Sequence, residues 1–181
     1  LMTTPLVRQL RMQFPDARID YLAGESFIGI LEGNPNIDSL IGFPENVFLK
    51  RYIPGLFRLV AKIRKGRYDK IFVLDRHWIF PLTSFLFGID RRIGFDRKGR
   101  EGILLTDKVR FEEVRHEIHY YLDLLSKVAR ADYDDVAMDF FPREEDVVFA
   151  DRFWADNRLS EKKVVCLAPG GGVNPGQELE L

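Results

Sequence analysis

From Thr4 to Leu167 the sequence alternates runs with the period of a helix and runs with the character of a strand, and that alternation admits few folds. Thr4-Pro5 followed by Leu6, Val7, Leu10 and Phe14 predicts a helix of about three turns, with Thr4 as its cap and Pro5 as its first helical position. Pro15-Asp16 closes it, and Ile19 to Gly24 reads as a strand ending on a glycine. A short helix over Ser26–Glu32 and a turn at Gly33-Asn34-Pro35-Asn36 lead into a strand over Ser39–Phe43. Leu56, Phe57, Val60 and Ile63 make one stripe of a helix over Pro54–Lys65, and Asp69 to Asp75 is the next strand. Trp78 to Phe87 is apolar nearly all round and stops at Gly88, so it is expected to be a buried helix. A strand over Ile103–Val109 and a helix over His116–Ala129, with Ile118, Tyr121, Leu122, Leu125 and Val128 on one face, continue the pattern. Glu144, Glu145 and Asp146 then open a helix that reaches about Arg158 and complement its dipole. Helix and strand in turn imply an α/β fold with a mostly parallel sheet.

The last element of the alternation is Lys163 to Ala168, read as a buried strand, which empties into Pro169-Gly170-Gly171-Gly172-Val173-Asn174-Pro175-Gly176. Successive glycines tolerate positive φ and allow several backbone N–H groups to turn towards one anion, so the loop suits a phosphate as well as a plain strand-to-helix turn. Gly171 and Gly176 have the outer spacing of a P-loop, but Gln177-Glu178 stand where Lys and Ser/Thr are needed. Gly170, Gly172 and Pro175 break the dinucleotide fingerprint at its third glycine. Hydride chemistry on a dinucleotide is therefore not expected.

With 181 residues, 46% of them hydrophobic and 30% charged, the chain is long enough for one domain and the start of another. A net charge of −1 argues against whole-molecule attraction to nucleic acid. The single cysteine, Cys166, lies in the expected strand and is read as buried and inert, in a reducing compartment. There is no apolar run of the ~18 residues that a membrane span needs and no charged leader before an apolar core, so a soluble cytoplasmic protein is expected. Lys50, Arg51, Arg58, Lys62, Arg64, Lys65, Arg67 and Lys70 make the most basic stretch, either a solvated helix face or a site for an anionic acceptor or a membrane surface. Asp75-Arg76-His77 follows a strand at the end where open α/β sheets place ligands. His116 opens a helix as a cap or surface residue, and Asp132-Tyr133-Asp134 reads as a solvated loop rather than a metal-holding D-x-D.

Several segments together carry a resemblance: Thr3-Thr4-Pro5-Leu6, Phe14 to Leu22, Asn34 to Asp38, Tyr68-Asp69, Arg92-Ile93-Gly94-Phe95, His116 with Tyr121-Leu122, and Ala168-Pro169-Gly170-Gly171. In this order and spacing, over essentially the whole chain, the sequence resembles glycosyltransferase family 9, the heptosyltransferases of lipopolysaccharide core assembly. The resemblance implies a GT-B enzyme with two Rossmann-like domains, acceptor on the N-terminal one and nucleotide-sugar on the other. Residues 1–142 would be the acceptor-side domain, 143–160 a connecting helix, and 161–181 the first strand and Gly-rich loop of the donor domain. Family members invert configuration, use no metal and need no cofactor. Their acidic general base belongs to a Gly-Asp pair expected before Leu1, so no catalytic residue is expected within the chain, and a phosphate-contacting Lys is expected beyond Leu181. A sheet of this type is ordered 3-2-1-4-5, and one without its first strand would leave two unpaired edges. The 181 residues by themselves are therefore expected to transfer no sugar.

The positions that match the family are Thr3, Thr4, Arg92 and His116 on the acceptor side and Gly170, Gly171 and Gly172 at the donor phosphates, while Asp75-Arg76-His77 departs from its pattern. The partners implied are a nucleotide-sugar, ADP-heptose, and a lipopolysaccharide core or other anionic glycan acceptor, with peripheral contact at the inner face of the inner membrane. Transfer of another sugar to another glycan, and a non-catalytic acceptor-binding module, remain as alternatives.

Overall fold

The computed structural model describes residues 1–49, 53–96, 99–110 and 115–167. The chain divides into two compact units, Leu1–Phe141 and Pro142–Leu181. The first runs α1 (Thr4–Gln13), β1 (Asp20–Gly24), α2 (Glu25–Ile28) with a 3₁₀ turn at Gly29–Leu31, β2 (Ser39–Phe43), α3 (Asn46–Leu49) and α4 (Ile53–Lys65). It continues with β3 (Lys70–Val73), α5 (Ile79–Leu86), β4 (Arg91–Asp96), a 3₁₀ turn at Gly102–Leu104, β5 (Asp107–Arg110) and α6 (Glu117–Leu125). Every strand pairing among the described residues is parallel. β1 lies on β2 from Asp20 opposite Ser39 to Gly24 opposite Phe43. β4 is flanked by β3, with Lys70 opposite Arg91, and by β5, with Ile93 opposite Asp107. The expected parallel α/β fold is thus present as a two-stranded and a three-stranded sheet.

The two sheets share their coverings. On one face, Leu6, Val7 and Leu10 of α1 pack with Ile118, Leu122 and Leu125 of α6 against Ile93 and Phe95 of β4, and Tyr21 of β1 and Phe72 of β3 join the same cluster. On the other face, Leu59 and Ile63 of α4 pack with Ile41, Phe87 and Ile89, joined by Leu22 of β1 and Ile71 of β3. Tyr21 with Phe72 and Leu22 with Ile71 are the strand alternation made visible: neighbours in sequence serve opposite faces. Each fully buried Leu or Ile removes enough apolar surface to stabilise the fold by about 1.5–3 kcal/mol. A polar tie joins the sheets as well. Asp20 of β1, whose side chain is 2% exposed, pairs with Arg18 at 2.8 Å and accepts a hydrogen bond from the hydroxyl of Tyr68, just ahead of β3. Burial and then the Asp20 carboxylate push Tyr68 up to about 12.

The outward side of α1 is polar and holds a segment with no regular structure. The Thr4 hydroxyl accepts from the Asp139 amide at 2.8 Å, and the Gln9 side chain both accepts from the Asp132 amide at 2.9 Å and donates to its carbonyl at 2.8 Å. Arg8 bridges the carboxylates of Asp135 and Asp139, and the Gln13 amide group binds both the N–H and the C=O of Arg130. Residues 130–139 carry backbone polar groups that need partners, and one helix face supplies them.

Several expectations are corrected. The cap of α1 is Thr3, not Thr4; Thr4 is the first helical residue, and its hydroxyl donates back to the Leu1 carbonyl at 2.8 Å. α5 is not buried all round: Pro81, Thr83 and Ser84 face inward while Phe85 and Leu86 are exposed, because one sheet face covers only one side of a helix. Its stop at Gly88 is as read, with φ at 72°, a left-handed position that favours glycine. The strand expected over Ile103–Val109 begins only at Asp107, since a 3₁₀ turn takes Gly102–Leu104. In the second unit, helix α7 (Glu144–Asp156) forms with its three acids in the first turn. Residues 163–167 form no strand there, and Cys166 is exposed rather than buried, because the second unit has among its described residues no strand to complete a ladder with this run.

Two outcomes follow from the packing. A Cβ added at Gly94, in the central strand of the larger sheet, would stand 2.9 Å from Leu105 and 3.2 Å from the Cβ of Val73. Gly94→Val should therefore destabilise the fold by roughly 1–3 kcal/mol, read from the denaturant midpoint. The phenol of Tyr68 titrates higher folded than unfolded, so its contribution is fully present below about pH 10 and is lost as the pH climbs through about 12. The stability gap between wild type and Tyr68→Phe should close over that range, and a gap that stays constant would show that the tie to Asp20 does not hold the phenol neutral.

Candidate functional site at the carboxyl edge of the sheets

Parallel strands bring their carboxyl ends to one edge of a sheet, and several polar groups of the first unit follow those ends. Thr3, at the start of α1, shares a 2.8 Å hydrogen bond between its hydroxyl and that of Tyr21. Burial pushes the Tyr21 phenol up, and the Thr3 hydroxyl pulls the other way. Beyond β3, Asp75 accepts from the His77 amide at 2.7 Å, which fixes the Asp75-Arg76-His77 turn and turns Arg76 towards α6. There the guanidinium pairs with Glu117 and lies over two rings, 5.7 Å from that of Tyr120 and 5.9 Å from that of Phe95. A guanidinium on aromatic faces is held at little entropic cost. Arg115 covers Tyr120 as well, at 5.2 Å, and pairs with Asp123.

Tyr121 connects these groups. Burial raises its phenol, Glu117 raises it further while Arg76 opposes, and Tyr21 and Asp75 add to the rise. Its ring meets that of Phe95 edge-on, with centroids 6.2 Å apart. His116 caps α6: its Nδ1 accepts from the Ile118 amide at 3.4 Å, and the rest of the ring is exposed. The groups available are thus the hydrogen-bonded hydroxyls of Thr3 and Tyr21, the phenol of Tyr121, the imidazole of His116 and the ion pair of Arg76 with Glu117. Such a set suits hydrogen bonding to a polyhydroxyl ligand with an anionic group.

Of the positions singled out in the sequence, Thr3 and His116 both lie at helix starts on this edge. Thr4 is fully buried and engaged with Leu1 and Asp139. Arg92, the second residue of β4, stands at the opposite end of its strand, where its guanidinium donates to the carbonyls of Ile89, Asp90, Ile103 and Leu104 and lies 5.4 Å from the Phe85 ring. Gly170, Gly171 and Gly172 lie outside the described residues. In Asp132-Tyr133-Asp134 the Asp132 carboxylate accepts from the Asp134 amide at 3.0 Å and Tyr133 donates to Asp123, the contacts of a loop. Sequence reasoning counted Tyr121 with an apolar helix face and passed over Glu117 and the hydroxyl of Tyr21. The sign for Glu117 was its place directly after His116; nothing local marks the two tyrosines.

The two threonines separate by experiment. Thr4→Val leaves a part-buried Asp139 amide without its acceptor and should cost about 1 kcal/mol in a denaturant titration. Thr3→Val should leave stability nearly unchanged but move the Tyr21 titration still higher, because the hydrogen bond that lowers it is gone; an unmoved tyrosinate absorbance titration would place Thr3 outside the site.

No family model matches the chain. It is 31% identical over 102 residues to lipopolysaccharide heptosyltransferase 3 of Escherichia coli, an alignment covering 56% of the chain and 30% of that protein. The chain thus spans less than a third of the curated relative it matches. Its fold superposes on a family 9 glycosyl transferase from Veillonella parvula DSM 2008 with a TM-score of 0.74 at 23% identity, over 86% of the chain and 45% of that structure. It also superposes on the E. coli ADP-heptose lps heptosyltransferase II with a TM-score of 0.58 at 22% identity, over 88% of the chain and 46% of that structure. Sequence and fold point the same way: the chain is similar in sequence to a lipopolysaccharide heptosyltransferase and shares the GT-B-like fold of the family 9 glycosyl transferase.

Proposed function

We propose that the chain forms the acceptor-side part of a heptosyltransferase that moves a heptose from a nucleotide-sugar, ADP-heptose, to a lipopolysaccharide inner-core acceptor. The observation that carries this reading is the pairing of Arg76 with Glu117 over the rings of Phe95 and Tyr120, in the field of the Tyr121 phenol, which also feels Tyr21, the hydrogen-bond partner of Thr3. A phosphorylated or carboxylated sugar needs one cation and several hydrogen-bonding partners, and these are the groups present. The relatives support the donor and acceptor classes: one is a lipopolysaccharide heptosyltransferase and another is described by its ADP-heptose substrate.

In this reading Thr3 and His116 touch the acceptor. Thr4 and Arg92 act as positioning residues, the first through the start of α1 and the second through the turn ahead of β4. Transfer is an inverting displacement without a metal. The acceptor oxygen attacks the anomeric carbon, an acidic base outside residues 1–181 takes its proton, and the bond to the diphosphate breaks. Gly170, Gly171 and Gly172 are assigned to the leaving diphosphate, whose growing charge backbone N–H donors would stabilise. The acceptor is membrane-borne, and the protein meets the inner face of the inner membrane peripherally.

The test is heptose transfer by the full-length protein from ADP-heptose to an inner-core acceptor. Gly171→Val should lower turnover on the order of 10² to 10³ with acceptor binding unchanged. His116→Ala and Thr3→Ala should raise the acceptor KM and leave the donor KM alone. A folded protein that binds the acceptor but transfers nothing would favour a binding module. Transfer from a different nucleotide-sugar only would keep the transferase and remove the heptose.

A further inference from the structure

Helix α4 presents two strips to solvent that its place in the fold does not require. Only Leu59 and Ile63 are buried, on the side that packs against the sheets. About a third of a turn away, Ile53 and Phe57 stand one helical turn apart and are 61% and 70% exposed. Beside them Arg58, Lys62 and Lys65 share a second strip, at spacings of four and three residues. None of these three cations makes a side-chain hydrogen bond or ion pair among the described residues, whereas Arg64 donates to the Leu86 carbonyl at 3.1 Å. The helix contains no acid, in a chain whose net charge is −1. Cations in a last turn complement the helix dipole, which accounts for Lys62 and Lys65. That argument does not reach Arg58 in the middle of the helix, nor does it expose a phenylalanine and an isoleucine.

We propose that α4 docks on an anionic lipid bilayer, with Ile53 and Phe57 entering the boundary between headgroups and acyl chains and Arg58, Lys62 and Lys65 meeting lipid phosphates. An apolar strip flanked by unpaired cations is what an interfacial helix needs, since its binding adds buried apolar area to attraction for anionic lipid. Topology gives the contact a purpose. α4 follows β2, so its first turns, with Ile53 and Phe57, stand near the carboxyl edge where Thr3 and Arg76 lie, and its last turns lead back to the start of β3. The docking deepens the transferase reading, on which it rests for the membrane-borne acceptor: a bilayer touching this end of α4 would present a lipid-anchored sugar close to the site.

The test is co-sedimentation of the full-length protein with vesicles of phosphatidylglycerol and phosphatidylcholine, and with vesicles of phosphatidylcholine alone. Wild type should bind the anionic vesicles, and binding should weaken steeply with added salt. Ile53→Ser with Phe57→Ser, and separately Arg58→Glu with Lys62→Glu, should each lower the partition coefficient by about tenfold or more. All four side chains are exposed, so denaturant midpoints should match wild type. Transfer to a water-soluble, delipidated acceptor should also be unchanged, while transfer to acceptor embedded in vesicles should fall with the binding. Wild type that stays in solution with anionic vesicles, or either variant pair binding as wild type does, would overturn the proposal. A protein that binds vesicles through these residues yet transfers no heptose would remove the transferase reading and leave the docking helix standing.

Discussion

Helix α1 is the element on which the rest of the first unit depends, because it has work on every side. Leu6, Val7 and Leu10 face a cluster fed by both sheets and by α6, so one helix replaces water over strands that do not pair with each other among the described residues. Thr4, Arg8, Gln9 and Gln13 occupy the other side and hydrogen-bond residues 130–139. Most of these are contacts to backbone groups, which cannot be left dry without penalty, so the segment has one place to lie. Thr3 at the helix start is thereby fixed as well, and its hydroxyl meets Tyr21. Core packing, the course of the chain and the geometry of the site therefore share one support.

The site is held together by charge placed on aromatic surface. Arg76 has a carboxylate partner in Glu117 and lies over the rings of Phe95 and Tyr120, and Arg115 lies over the same Tyr120. Tyr120 is buried beneath the two guanidiniums, and each has a carboxylate partner, so no unpaired charge is buried. Arg92 shows the contrasting use of the same side chain. With carbonyls as its partners it organises the turns that flank the start of β4. Residue type alone does not separate these two arginines; their partners do.

Much of the scaffold was legible in the sequence. Ile63 of α4 and Leu122 and Leu125 of α6 are where the helical period put them, whereas on α4 Phe57, read on the same stripe, is exposed and Leu59 is buried instead; the strands at Asp20–Gly24 and Ser39–Phe43 lie within the apolar runs that announced them. The errors share a cause. Phe85 and Leu86 read as core because apolar residues surround them, yet a helix on a sheet has only one dry side. Cys166 read as core because its neighbours are Val165 and Leu167, yet a strand is buried only by strands and helices beside it. The site was legible in part: Asp75-Arg76-His77 was marked by its place after a strand, and His116 by its place before a helix. Glu117 became a partner of Arg76 only when two loops distant in sequence were brought together.

What the sequence by itself determined is whatever depends on spacing along the chain: the order of helices and strands, their apolar faces, the glycine stop at Gly88, and so the α/β class with parallel pairing. Those properties are local, since the period of a helix or strand and the φ of a glycine are set within a few residues. The tertiary structure decided how residues far apart share space: that Thr4 is spent on Asp139, that Arg92 faces carbonyls while Arg76 faces rings and a carboxylate, and that Tyr21 meets Thr3. Apart from the Arg92 contacts to Ile89 and Asp90, these pairings span from 11 to 135 residues of chain, and no local preference reaches across such separations. They arise because the helices have to cover both sheet faces at once, and that requirement exists only in the folded molecule.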